Sequence, residues 1–350
     1  MNGLIIHYEK LKEAISGVAL SFDSLKKQLK LKEVSFRDLS GYYGTEIFSE
    51  SHLSCNKNLF ILGYFTKYLD QLKNVDFIIS NEPWLSKTTT DICKITISQC
   101  PWKWIGEIMC GNNNTYDISL NNYARLNSNI LVAPSKYMHN YLKELGFKSE
   151  IIPWGIDPNL FKPVKNKNLL KKQLNIPRNK TVGIAVIFGY RTEKQILKEL
   201  VKDRNNIFWI ITSIKKLWNI DYDNVLNIPV LPNNEMPKYY NASDFYINTS
   251  PAESFDRCTI EAMASDLPVV SMRTGILYDW NIKCGILIDK WELENFRTAI
   301  KQISDFVWHY QVKSPKGLKS GDSREEFLKK ELTLEKMKER WVKFIERKVY

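Results

Sequence analysis

PAESFDRCTIEAMASDLPVV, residues 251–270, is the stretch on which the reading of this chain turns. The strand-like run DFYINTS (244–250) precedes it. The segment itself divides into a loop, PAESFDRC, a helix, TIEAMAS, and the start of a further strand, LPVVSM (267–272). Glu253 falls in the loop just after a strand. Glu261 falls eight residues on, inside the helix that begins near Asp256 or Arg257. A helix N-terminus presents unpaired N–H groups and the positive end of the helix dipole, a setting suited to a diphosphate. One carboxylate before that terminus and one after it would bracket a phosphate-bearing ligand. Each carboxylate accepts several hydrogen bonds and so suits paired sugar hydroxyls. Taken alone, the two acids read more simply as a loop acid and a capping or solvated acid.

The same alternation runs outward in both directions. Downstream lies GILID (285–289), a strand. Upstream, TVGIAVIFG (181–189) reads as a strand, EKQILKELVKDR as a helix, NIFWIIT (206–212) as a strand and NVLNIPVL (224–231) as a short apolar run. Further upstream, IIPWGIDPNLFKPVKNKN (151–168) holds three prolines followed by Lys and Asn and reads as a hinge. Before it the pattern repeats. GLIIHY (3–8), VDFIIS (75–80), CKITIS (93–98) and NILVAPS (129–135) are strands. Residues 18–31 place Val18, Phe22, Leu25 and Leu29 at helical spacing, and KYMHNYLKELGF is a helix stopped at Gly146. Repeated β–α order implies parallel sheets covered on both faces. The expected division is 1–163, 164–322 and a helical tail, 323–350, with Leu334, Met337, Trp341 and Phe344 on one side of its last helix.

The chain has 350 residues, enough for two domains, and its composition excludes disorder and collagen-like repeats. No apolar run approaches the ~18 residues that span a bilayer, and the first residues lack the layout of a signal peptide. Six dispersed cysteines form no CxxC pair, so neither a zinc site nor a disulfide framework is indicated, and a cytoplasmic location is expected. With no Asp-x-Asp pair read near a strand end and no clustered His or Cys, no metal requirement is expected. The net charge of +11 favours anionic partners. From Pro158 to Thr192 there are eight Lys/Arg and no Asp or Glu, which reads either as a positive wall for a diphosphate or as a solvated basic linker.

Residues 251–270 resemble the carboxyl-terminal domain of the retaining GT-B glycosyltransferases of family four, the glycosyl transferases group 1. Their pattern is Glu-x-Phe, five residues, Glu-Ala-Met-Ala, then Pro-Val-Val. Glu253, Phe255, Glu261, Ala262, Met263, Ala264, Pro268, Val269 and Val270 match it. VAPSKYMHNYLKELGF, IIPWGIDPNLFKP, MPKYYNASDFYINTSPAES and CGILID are also similar to the family. The likeness covers about 129–300 well and the amino-terminal third poorly.

The resemblance implies an α/β GT-B fold, with two Rossmann-like parallel-sheet domains facing a central cleft. It implies a hexosyltransferase in which Glu253 binds donor-sugar hydroxyls and Glu261 the ribose. Backbone around Ser254, Phe255, Asp256 and Arg257 would face the phosphates or the sugar. FGYRTEKQ stands where the family carries a Gly-Arg…Lys arrangement, which makes Gly189, Arg191 and Lys194 the diphosphate-binding residues. Fixed cations there would stabilise the departing nucleotide without a metal.

Several positions depart from the family. Asp256 and Asp266 replace glycines, Gln99 stands in place of a first-domain His, and the amino-terminal glycine-rich loop is reduced to Gly17. Among the histidines only His7, at the end of strand one, is positioned to face the cleft, and a rim His is the simpler reading. Trp84, Trp102 and Trp104 lie in first-domain loops, either as stacking faces or as local core.

The reading is a cytoplasmic, metal-independent, retaining glycosyltransferase. It uses a UDP- or GDP-sugar as donor, needs no further cofactor, and transfers to a saccharide, lipid or protein hydroxyl. Lys26, Lys27, Lys30 and Lys32 offer a route to peripheral membrane association, with a solvated helix face as the simpler alternative. A degenerate protein that binds a nucleotide sugar without transfer is one rival. A basic nucleic-acid-binding protein is the other; it rests on charge alone, and no specific nucleic acid is expected.

Overall fold

The computed structural model describes residues 2–7, 17–35, 75–80, 92–98, 130–187, 193–203, 206–213, 222–279, 285–313, 328 and 330–350. The chain separates into two compact units, Met1–Gly155 with Leu334–Tyr350, and Ile156–Thr333. The boundary therefore falls before the expected 163. The last helix belongs to the first unit.

In the first unit the elements are β1 (Gly3–His7), α1 (Gly17–Leu29), β2 (Lys32–Ser35), β3 (Phe77–Ser80), β4 (Cys93–Ile97), β5 (Ile130–Ala133), α2 (Lys136–Glu144) and β6 (Glu150–Ile151). Their sheet is wholly parallel, in the order β2-β1-β3-β4-β5-β6. Ser135 caps α2 by accepting from Met138 N–H at 3.1 Å, and Gly146 ends the segment at φ 83°. Phe22, Leu25 and Leu29 of α1 are buried. So are Met337, Trp341, Phe344 and Ile345 of the carboxyl-terminal helix Leu334–Lys348, which packs on α1. The apolar stripe read at 337, 341 and 344 is thus the face that holds this helix. Of the four lysines near α1, Lys26 is paired with Glu33 and Lys27 with Asp23, each at 2.5 Å, so part of that charge is neutralised within the unit.

The second unit runs α3 (Lys167–Gln173), β7 (Thr181–Ile187), α4 (Glu193–Lys202), β8 (Ile207–Ser213), β9 (Val225–Pro229), a 3-10 turn (Asn233–Glu235), α5 (Met236–Ala242), β10 (Phe245–Ile247), α6 (Arg257–Ala264), β11 (Val269–Met272), α7 (Ile276–Asp279), β12 (Gly285–Ile288) and α8 (Leu293–Lys313). The last helix, Leu334–Lys348, is therefore α9. All six strands are parallel, ordered β12-β11-β10-β7-β8-β9. Read from β9, this is the doubly wound order 3-2-1-4-5-6, and its switch point lies between β7 and β10. The core at that point is tight. A Cβ on Gly183 of β7 would lie 2.7 Å from the rings of both Phe245 and Trp209, so only glycine fits between them.

One segment differs from its sequence reading. The expected hinge and basic linker contains α3. Two of its eight cations are consumed: Lys167 and Lys171 each pair at 2.8 Å with the buried Asp244 just before β10. Asp244 also accepts the Val182 N–H at the start of β7. These lysines fix α3 to the amino-terminal edge of the sheet, opposite the strand ends where ligands bind, and they contribute nothing to a phosphate wall. Among the described residues no helix is long and apolar enough to cross a membrane.

Candidate functional site

The site is built on the switch point of the second sheet. β7 and β10 lie side by side with Ala185 opposite Ile247, and the chain leaves their carboxyl ends in opposite directions. Ligands of doubly wound sheets bind at such a point. The segment after β7 leads to α4, with Lys194 half-buried in its first turn. Gly189 and Arg191 lie outside the described residues, as do Gln99, Trp84, Trp102 and Trp104. The segment after β10 is the loop 248–256 followed by α6.

That loop is held from three directions. Asn248 accepts from the Ser250 N–H at 2.8 Å, and the Trp291 indole donates to the Thr249 carbonyl at 2.8 Å. The turn after β11 braces its centre. The Glu253 N–H donates to Thr274 Oγ1 at 3.2 Å, and the Ile276 N–H donates to the Phe255 carbonyl at 3.1 Å. Gly275 must be glycine for two reasons. Its φ is +55°, and a Cβ there would meet the Phe255 carbonyl at 3.0 Å and the Glu253 carbonyl oxygen at 3.2 Å. Phe255 is 2% exposed, so its ring anchors the loop in the core and does not line a ligand surface. Ser254 is also buried. Glu253 is partly exposed.

Asp256 and Asp266, the two departures from glycine, both adopt left-handed backbone, at φ 69° and φ 65°. The backbone of the motif is therefore kept, and Asp is among the few residues that tolerate it. Asp256 caps α6. Its Oδ1 accepts the Thr259 N–H at 3.1 Å, while Oδ2 accepts from Asn248 Nδ2 at 2.7 Å and from the Thr259 hydroxyl. Burial, with the like charge of Glu253 added, pushes its carboxyl up to about 7. Asp266 closes the other end of α6. The Asp266 N–H bonds the Met263 carbonyl at 3.0 Å and the Leu267 N–H bonds the Ala262 carbonyl at 3.0 Å, the double bond of a Schellman ending, with Leu267 buried behind it.

Glu261 is 2% exposed. Its Oε1 accepts from Arg257 Nε at 2.8 Å, one helical turn back, and from Asn233 Nδ2 at 3.0 Å. The Tyr240 hydroxyl reaches Oε2 at 3.5 Å. Burial pushes the Glu261 carboxyl up, opposed first by the Arg257 guanidinium and then by these hydrogen bonds. The sequence reading gave this acid to a ligand; the structure surrounds it with donors of its own. Asn233, Tyr240 and Thr274 had no sequence signal, because each is an ordinary polar residue brought to the motif from a different element.

The predicted residues 253–257 and 261 are thus gathered on one loop and helix, with Lys194 on the helix that follows the neighbouring strand. Gly17 opens α1 in the first unit. Among the described residues no group of three or more His, Cys, Asp or Glu could hold a metal ion, and Cys93 and Cys258 are free.

Residues 186–305 match the family described as glycosyl transferases group 1. The uncharacterized protein 356 of Sulfolobus islandicus rod-shaped virus 1 is 30% identical over 177 residues, 47% of this chain and 46% of that protein, so the match spans about half of either. Among solved structures, a sucrose-phosphate synthase from Thermosynechococcus elongatus superposes with a TM-score of 0.80 at 13% identity over 99% of both chains. Anabaena HepE in complex with UDP and glucose gives 0.69 at 13% identity over 99% of this chain and 100% of that one. The catalytic domain of Arabidopsis thaliana starch synthase IV, bound to ADP and acarbose, gives 0.66 at 12% identity over 99% of each. At such identities the likeness is one of fold. The chain thus has a GT-B fold, and the part of it that carries Glu253, Asp256 and Glu261 matches the glycosyl transferases of group 1.

Proposed function

We propose that the chain is a retaining glycosyltransferase that moves a hexose from a UDP- or GDP-linked donor to an acceptor hydroxyl, without a metal. The observation that carries this reading is the placement of Glu253 and Glu261 on the β10–α6 segment, at the switch point of the family-matched sheet. Glu253, on the loop, takes donor-sugar hydroxyls. Glu261 takes the ribose. Arg191 and Lys194, after β7, face the diphosphate and offset the charge that it gathers as it leaves. The bond between the anomeric carbon and the diphosphate oxygen breaks and a bond to the acceptor oxygen forms on the same face. The acceptor proton passes to the departing diphosphate, so no histidine base is needed.

A second reading, a protein that binds the donor and does not transfer it, is favoured by Asp256. Its carboxylate already occupies the α6 terminus that would otherwise face a phosphate. The two are separated by one experiment in two steps. Thermal shift with UDP, GDP, ADP and their sugars finds the donor. Release of nucleoside diphosphate from that donor, in EDTA and with pooled saccharide, lipid and peptide acceptors, then tests transfer. Stabilisation with no release supports the second reading. No stabilisation by any nucleotide sinks both. The proposed location is cytoplasmic, where nucleotide sugars are available.

A further inference from the structure

We propose that Arg257 and Asn233 are positioning residues that fix the Glu261 carboxylate as an acceptor for the ribose hydroxyls of the nucleotide. The inference rests on the proposed function, which supplies the nucleotide, and concerns how this chain prepares its acid.

Glu261 is 2% exposed, and a carboxylate taken out of water costs several kcal/mol unless it is paired and hydrogen-bonded. Left to burial alone it would take up a proton, and a protonated acid must donate. What surrounds it are donors: Arg257 Nε and Asn233 Nδ2 on Oε1, and the Tyr240 hydroxyl on Oε2. The two firm donors on Oε1, one of them a guanidinium, favour the ionised form against the pull of burial.

The geometry is also asymmetric. Oε1 is held at 2.8 Å and 3.0 Å from two elements, α6 and the 3-10 turn that follows β9. Among the described residues Oε2 has the 3.5 Å approach of Tyr240, too long for a strong bond, so it keeps most of its accepting capacity. The carboxylate is clamped through one oxygen and left receptive at the other. Stability alone does not call for this arrangement, since a buried ion pair is commonly no better than apolar residues of the same volume. Removing Arg257 would leave a buried charge without its partner; Glu261 would then protonate and lose its role as acceptor.

The test is a ratio of affinities measured by calorimetry on the full chain. UDP or GDP, whichever binds, is compared with its 2′,3′-dideoxy form. In the wild type, loss of the ribose hydroxyls should weaken binding roughly 10- to 100-fold, the range for hydrogen bonds to a charged group. Glu261→Gln should bring the ratio to within about threefold of one. Arg257→Ala should do the same and Asn233→Ala should move it part of the way, while Arg257→Lys, which keeps the charge, should restore most of it. Affinity for the dideoxy nucleotide should stay constant throughout, whereas a merely structural role would weaken both ligands together.

If Glu261→Gln collapses the ratio while Arg257→Ala and Asn233→Ala keep it, the positioning role is wrong and the proposed function stands. If the wild-type ratio is one, or Glu261→Gln leaves it intact, the ribose role of Glu261 is wrong and this inference falls with it. Should Arg257→Ala fail to give a cooperative melt, Asn233→Ala and Arg257→Lys decide: a wild-type ratio in Asn233→Ala refutes the clamp.

Discussion

Replacing Asp256 by Asn tests the account of the α6 cap most directly. The carboxyl stands at about 7 in the folded chain against an ordinary 3.8. Below pH 3.8 the folded and unfolded forms both carry the proton, and stability does not respond to pH through this group. Between 3.8 and about 7 the folded form holds a proton that the unfolded form has released, so stability falls as pH rises. Each unit is worth about 1.36 kcal/mol, and from pH 5 to the folded value this amounts to roughly 3 kcal/mol lost by pH 8.

Asn keeps what the backbone requires, because it tolerates φ near 69° and its side-chain oxygen still accepts the Thr259 N–H. It removes the charge, at a cost of about 1 kcal/mol for the hydrogen bond disturbed at Oδ2. Urea unfolding followed by circular dichroism at pH 5 and pH 8 gives the comparison. Glu261, whose carboxyl is pushed up in the same direction, titrates in both proteins, so the difference between wild type and variant isolates Asp256. The wild type should lose roughly 3 kcal/mol more than Asp256→Asn over that interval. Glu253→Gln, which removes the neighbouring like charge, should move the midpoint of the effect to lower pH. An equal loss in wild type and Asp256→Asn would refute the argument that this carboxyl holds its proton up to about pH 7.

Glu253→Gln should lower kcat while leaving affinity for the bare nucleoside diphosphate nearly intact, and Glu261→Gln should raise the donor KM and weaken that affinity; calorimetry and kinetics showing the reverse would exchange their roles. Arg191→Ala should cut kcat/KM about 10- to 100-fold and Lys194→Ala less, with EDTA without effect; activity lost to EDTA and restored by manganese would overturn the metal-free reading. Asp244→Ala should destabilise the second unit by about 3–5 kcal/mol in urea, because it strands Lys167 and Lys171 at the edge of the sheet. Burial opposes ionisation of Asp244 but the two lysines outweigh it and hold its carboxyl below 3.8, so this stabilisation is complete above pH 3.8 and is lost as pH falls through the folded value; a Tm within a degree of wild type at pH 7 would show the cluster to be idle.

The central strands were legible because they are short apolar runs buried on both faces: Phe77–Ser80, Ile207–Ser213 and Val269–Met272 are buried throughout. β2 and β6 were not legible, since Lys32–Ser35 and Glu150–Ile151 carry charge at the edges of their sheet and owe their conformation to β1 and β5. α3 was hidden for a related reason. Its buried residue is Lys171, and what buries it is an aspartate 73 residues away, which no local periodicity can show. The long α8 lies beyond β12, and its buried apolar positions, Phe296, Ala299, Ile300 and Ile303, form one helical face.

Within the site, sequence spacing located Glu253 and Glu261 correctly on loop and helix, yet it was silent on what encloses them. A pattern of residues along one segment carries no information about Asn233 and Tyr240, which come from a separate turn and helix. It also overstated the two glycine replacements. Read as letters, Asp256 and Asp266 break the motif at two points. Read as backbone, neither does, for both sit near φ 65–69° and both make the hydrogen bonds that begin and end α6. The left-handed conformation is imposed by those bonds, and Asp adopts it at lower cost than most side chains. What the substitutions change is therefore charge rather than shape. Asp266 lies exposed beyond the end of the helix. At Asp256 the added charge is set beside Glu253, at the end of α6 where a diphosphate would be drawn, and the protonation of that carboxyl decides whether the terminus carries a negative charge.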